Sequence, residues 1–159
     1  MIRLARIVLI VSLALWTGGL ATISFVVAPA AFKTAPSRQA AGQMVGATLR
    51  TFGKVEVGCG IAALAASLYL YSKRPEGTRK GFYRTSVIFL MLVITLSYVS
   101  WIYPEAAVTR GKMESMPDDS ILKDHFAMIH QMSVILVSVN ILLGSGVLVC
   151  SAAKSSDGP

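Results

Sequence analysis

Residues 125–153 read HFAMIHQMSVILVSVNILLGSGVLVCSAA, a run of 29 positions without Lys, Arg, Asp or Glu between Asp124 and Lys154. A bilayer-spanning helix needs about 20 mostly apolar residues, so this run is long enough to cross a membrane. Three comparable runs precede it: 26 uncharged residues between Arg6 and Lys33, 16 between Glu56 and Lys73, and 20 between Arg84 and Glu105. Together they predict spans at about 7–31, 55–72, 85–104 and 126–153. Backbone in lipid must satisfy its own hydrogen bonds, which leaves helices or closed barrels. The runs lack the alternation of barrel strands. The expected fold is therefore all-α, an integral membrane four-helix bundle forming one domain over 1–159.

Composition agrees, with 54% of the 159 residues hydrophobic and 14% charged against about 25% charged in soluble domains. The first run is too long for a secretory signal, whose apolar region covers about 7–15 residues, so it is read as a retained span. The net charge of +7 does not call for nucleic acid, because basic residues in a membrane protein first report topology. Lys73, Arg74, Arg79, Lys80 and Arg84 face only Glu76 between spans two and three, and Arg3 and Arg6 precede span one. This places both termini and that loop in the cytoplasm, at an inner or plasma membrane. The connection between spans three and four carries Glu105, Glu114, Asp118, Asp119 and Asp124 against Arg110, Lys112 and Lys123, and is expected outside. The first outer connection is itself basic, through Lys33, Arg38, Arg50 and Lys54, so the dense second loop decides the orientation. Cys59 and Cys150 then fall toward opposite faces, too far apart for a disulfide, and read as small packing residues.

Ala14, Gly18 and Thr22 in span one, and Gly58, Ala62 and Ala66 in span two, recur every four residues, a spacing that lets helices approach closely. Pro29 is expected to kink or end the first helix. Ser37 is placed to cap an amphipathic extension through Gly42, Gly46, Arg50 and Lys54 into span two. Glu56 lies just inside that entry, where it is expected either to snorkel to interfacial water or to pair with Lys54, Arg50 or a loop residue. Trp101 and Tyr103 read as interfacial anchors, followed by a polar loop to Lys123.

In span four, helical geometry places Phe126, His130, Ser133, Val137, Asn140 and Gly144 in one sector, a polar and small stripe suited either to hydrogen bonding between helices or to a ligand. Met113, Met116, His125, Met128, His130 and Met132 offer thioether and imidazole groups, which suit Cu(I). His130, however, points about 140° away from His125 on a helix. Both histidines belong to one span, whereas haem ligation asks for axial ligands from facing helices, so no cofactor is expected. There is no nucleophile paired with a base and no glycine-rich phosphate loop, and the chain is not read as an enzyme.

Trp16, Gly18, Phe25, Pro29 and Phe32, followed by Ala41 and Gly42, then Tyr103, Pro104 and Arg110, and finally Phe126, His130, Ser133 and Asn140, together resemble the transmembrane protein 205-like family of small four-span proteins (domain of unknown function 4149). The resemblance implies a multi-pass architecture. Through the platinum-drug resistance associated with the eukaryotic member, it also hints at handling of soft metals.

The functional expectation is binding or transport of an ion or small solute in a polar pocket near the outer leaflet, formed by Glu56, Arg110, His130, Ser133 and Asn140, in a homo-oligomer or with a membrane-protein partner. The alternative is a structural or accessory subunit of a membrane complex. A lesser alternative is soft-metal handling through His125, Met128, His130 and Met132.

Overall fold

The computed structural model describes residues 1–73, 78–116 and 119–153. Arg74 and Glu76 of the basic loop, Asp118 and Lys154 lie outside the described residues. Four helical rods account for nearly all the rest. α1 combines Ile2–Thr22, a π turn at Ile23–Val27 and Ala28–Thr34. α2 is Arg38–Ser72. α3 combines Thr78–Ser97, a π turn at Tyr98–Ile102 and Tyr103–Ser115. α4 is Ser120–Ala153. All four are long and apolar enough to cross a membrane. Neighbours pack in a closed ring, α1 on α2, α2 on α3, α3 on α4 and α4 back on α1, joined by the short connections that make successive helices antiparallel.

The rods are longer than the predicted spans because helix continues where apolarity stops. At 1.5 Å per residue, the 35 residues of α2 reach about 52 Å, well beyond a hydrocarbon core of about 30 Å. Ser37 caps α2 as its position suggests, its hydroxyl accepting the Ala40 N–H at 3.1 Å. Asp119 accepts the Ile121 and Leu122 N–H groups at the start of α4. The segment after Tyr103, expected as loop, is helical to Ser115.

Pro29 neither ends α1 nor stands in an ordinary turn. A proline ring clashes with the carbonyl four residues back, which for Pro29 is Phe25, inside the π turn. There the Ala28 N–H reaches the Ile23 carbonyl, five residues back. The same device precedes Pro104: the Tyr103 N–H bonds the Tyr98 carbonyl, and Ser100 falls in the widened turn. Each proline sits two residues beyond a π turn, and the helix runs on in both cases.

The close approaches differ from the predicted stripes. Ala14, Gly18 and Thr22 are exposed on the outside of the bundle, and nothing lies within 4 Å of a side chain placed at Gly18 or Gly58. The helices meet instead at Gly19, Gly53, Gly60 and Gly144. A Cβ at Gly60 would stand 2.7 Å from Leu92 and 3.1 Å from the Trp16 ring. Overpacking of this kind costs about 1–3 kcal/mol, so Gly60→Leu is expected to lower unfolding stability in bicelles by that amount. Gly58→Leu, on the same helix but facing outward, is expected to change it by less than about 0.5 kcal/mol. Both cysteines are free, Cys59 half-buried and Cys150 exposed rather than packed.

Candidate functional site

α2 turns a narrow face inward: between Gly53 and Ser67 its buried residues are Gly53, Glu56, Gly60, Ala63, Ala66 and Ser67. Small residues bring the neighbouring helices close, and Glu56 is the one long side chain on that face. It is fully buried, at 0% exposure. Lys54 and Arg50 are exposed and do not reach it, and it makes no ion pair among the described residues. The expected snorkelling of Glu56 to water is therefore corrected, because its side chain points into the bundle while those of its basic neighbours point out.

Its partner comes from α3. The Tyr98 hydroxyl donates to Glu56 Oε2. Asn140 Nδ2 of α4 donates to Thr95 Oγ1 at 2.8 Å and approaches the Tyr98 hydroxyl at 3.2 Å and the Met91 carbonyl at 3.4 Å. Thr95 Oγ1 and the Tyr98 hydroxyl are 3.0 Å apart. A phenol has one proton; with that of Tyr98 given to Glu56, the Thr95 hydroxyl donates to Tyr98. The hydrogen bonds thus run in one direction, from Asn140 through Thr95 and Tyr98 to the carboxyl group.

The π turn builds the rest of the site. On an α-helix, Tyr103 would lie about 140° around the axis from Tyr98. Across a turn closed by a bond spanning five residues, the two rings come together, with centroids 5.2 Å apart. The fully buried Trp16 of α1 turns its indole toward the carboxyl group of Glu56 without closing a hydrogen bond of ordinary geometry. In this cluster four buried polar atoms have no hydrogen-bond partner among the described residues: Glu56 Oε1, Asn140 Oδ1, the Tyr103 hydroxyl and Trp16 Nε1. Each comes from a different helix. A buried orphan costs about 1–3 kcal/mol and in a native structure asks for an explanation. Tyr98 lies 14 residues beyond Arg84 and seven before Glu105, about 20 and 10 Å by helical rise, so the cluster sits in the half of the bundle nearer Glu105.

The pocket expected from the sequence is divided. Glu56 and Asn140 join this cluster, whereas Arg110, His130 and Ser133 stand beyond it toward the Glu105 end. Arg110 Nη1 donates to the Gly42 carbonyl at 2.5 Å, and its guanidinium lies 5.2 Å from the Phe126 ring centroid. Gly42 and Gly46 make room for it, since a Cβ at either would come within 3.2 Å. His130 is exposed and stacks on Phe126, with the planes 7° apart. Ser133 is half-buried. The polar stripe of α4 enters the core only from Val137 onward. Phe32, Pro104 and Gly18 of the family motif are exposed, while Trp16 and Tyr103 are buried. Thr95 and Tyr98 were missed by sequence reading. Three residues apart on an apolar run, they were the available signal.

The soft-metal set does not assemble. His125 faces Glu105 at 3.5 Å, His130 stacks on Phe126, and Met128 and Met132 are about half exposed. Among the described residues no three His, Cys, Asp or Glu side chains gather to hold a metal ion.

No curated protein and no solved structure matches the chain. A family model described as a domain of unknown function, DUF4149, matches residues 11–115, a stretch that contains Trp16, Glu56, Thr95, Tyr98 and Tyr103 and most of the first three rods of the bundle. With about two thirds of its length matched and four membrane-length apolar helices, the chain belongs to the DUF4149 family of small multi-pass membrane proteins.

Proposed function

We propose that this membrane protein binds or transports an ion or small solute at the Glu56 cluster, with the basic Arg84 end in the cytoplasm and the ligand taken from the opposite side. The observation that supports this reading is a fully buried carboxyl group whose own Oε1 has no hydrogen-bond partner among the described residues, in a cluster where Trp16, Tyr103 and Asn140, from the three other helices, each leave a polar atom unpartnered as well. An ionisable side chain inside a membrane protein is expensive to keep, and by default points to an ion or proton path. The cluster has the marks of a binding centre rather than of structural glue, since a finished structural network satisfies all its members. Chemistry on a substrate is not part of the proposal.

The test is retention of radiolabelled sodium, methylammonium, chloride, phosphate or glycine by the purified full chain in detergent. Wild type is expected to retain at least one, and Glu56→Gln and Asn140→Leu are expected to lose that retention at least tenfold while keeping their helix content. Equal retention by wild type and both variants would count against the reading, and so would retention of none by a chain whose proton uptake and release Glu56→Gln leaves unchanged.

A second reading is favoured by a separate observation. The Ala14, Gly18 and Thr22 stripe, exposed on α1, suits close packing against another transmembrane helix, as in a homo-oligomer or an accessory subunit. Under this reading Gly18→Leu would leave the bundle folded but break a complex recovered in mild detergent.

A further inference from the structure

We infer that the ligand of the Glu56 cluster is a single monovalent hard cation, a sodium ion or a proton exchanging at the same carboxyl group. This rests on the functional reading above and deepens it by naming the class of ligand.

Charge argues first. Of Trp16, Glu56, Thr95, Tyr98, Tyr103 and Asn140, only Glu56 is a carboxylic acid, the two tyrosines being far weaker acids, and no cation pairs with it among the described residues. A cluster sealed in apolar surroundings is neutral with one positive charge on that carboxyl group. A divalent ion would leave an excess charge buried, and an anion would add to the one already there, each at a cost of several kcal/mol.

The donor set argues second. The unpartnered acceptors are Glu56 Oε1, Asn140 Oδ1 and the Tyr103 hydroxyl, all oxygens. Oxygen ligands select hard ions, whereas soft metals ask for thiolate, thioether or imidazole. The protons of Asn140 Nδ2, Thr95 and Tyr98 are already engaged along the path to the carboxyl group. They cannot turn to an anion without breaking it. The free donors are the Trp16 N–H, which faces the carboxyl group, and the Tyr103 O–H.

The titratable groups near Glu56 are Tyr98 and Tyr103 from α3 and Cys59 from its own helix. α1 and α4 contribute Trp16 and Asn140, which do not titrate. Exchange balances without a further partner: a sodium ion enters against the carboxylate as the carboxyl proton leaves to water, and the cluster's net charge stays constant.

Infrared difference spectroscopy on the full chain in liposomes tests this directly, with choline chloride exchanged for sodium chloride at constant pH and a dye reporting released protons. Wild type is expected to lose a carboxylic C=O band, gain carboxylate bands and release about one proton per chain. Glu56→Gln is expected to lose the whole response. A variant with every other side-chain carboxyl neutralised, Glu76→Gln, Glu105→Gln and Glu114→Gln with Asp118→Asn, Asp119→Asn, Asp124→Asn and Asp157→Asn, leaves Glu56 as the sole side-chain carboxyl group and is expected to keep it. This assigns the band even if Glu56→Gln does not fold. A band insensitive to sodium that titrates with pH in that variant identifies the proton as the cation and upholds the inference. It is overturned if that variant responds to neither sodium nor pH, or if calcium displaces sodium at equal concentration. It is also overturned if glycine or phosphate, rather than a cation, produces the spectral change. In that last case, loss of glycine or phosphate retention in Glu56→Gln would leave the functional reading standing while the class of ligand falls.

Discussion

Replacing Trp16 with alanine is expected to lower the unfolding free energy by about 3–5 kcal/mol, the range for emptying a large buried aromatic site. Trp16 is fully buried, and its ring fits against Gly60, where even a methyl group would stand 3.1 Å away. A cavity here cannot close easily, because Gly60 has no side chain to move into it and Leu92 already fills the other side. In a bilayer, helices associate through packing and hydrogen bonds rather than through release of water from apolar surface, so the packing that the indole ring provides has no ready substitute. Trp16→Phe keeps most of the volume and is expected to cost less than about 1.5 kcal/mol, while removing the indole N–H that faces Glu56. Unfolding in mixed micelles, followed by helix content, measures both. A loss below about 1 kcal/mol for Trp16→Ala would mean that α1 and α2 do not meet across Gly60.

Much of the architecture was legible because the membrane imposes it. An uncharged run of 29 residues closing on Lys154 has few other places to go, and the four spans follow from length alone. The helix ends were less legible. Hydropathy reports where lipid stops, and α2 and α3 continue as helix past that boundary, held by Ser37 and by a π turn that accommodates Pro104. The site was legible in part. Glu56 and Asn140 stand out as polar residues in apolar helices, but nothing in the sequence around their partner Tyr98 sets it apart from the apolar run that holds it. A π turn cannot be read from a helical wheel, and it is the π turn that brings Tyr103 to Tyr98. His130 falls with Glu56 and Asn140 only when one regular helical phase is carried along the whole of α4, and Arg110 of α3 joins them only when the whole outer end is taken as one level. The bundle uses that phase only from Val137 inward, and toward the Glu105 end it leaves His130 against Phe126 at the surface. The glycine stripes misled for a similar reason: fourfold spacing identifies a helix face, whereas which face turns inward depends on where Trp16, Val99 and Met91 need room at Gly60, Gly53 and Gly144.

The second large effect concerns the ligand. Anything that binds the folded chain and not the unfolded one stabilises it by mass action, by about 2.7 kcal/mol at a concentration one hundred times the dissociation constant. The orphaned oxygens of Glu56, Asn140 and Tyr103 are the groups a cation would satisfy, so the gain depends on the Glu56 carboxyl group being present. Glu56→Gln preserves shape and keeps an oxygen for Tyr98 to donate to, but removes the negative charge. It is expected to be close to wild type in stability without ligand and to gain nothing when ligand is added.

The most direct measurement is the unfolding free energy of wild type and Glu56→Gln in the same micelles, in sodium chloride and in choline chloride at equal ionic strength. If the buried carboxyl group is the binding centre, sodium at one hundred times its dissociation constant stabilises wild type by about 2.7 kcal/mol and leaves Glu56→Gln unchanged. An equal shift in both proteins would contradict it, as would no shift in either when the Glu56 carboxyl band is also insensitive to pH.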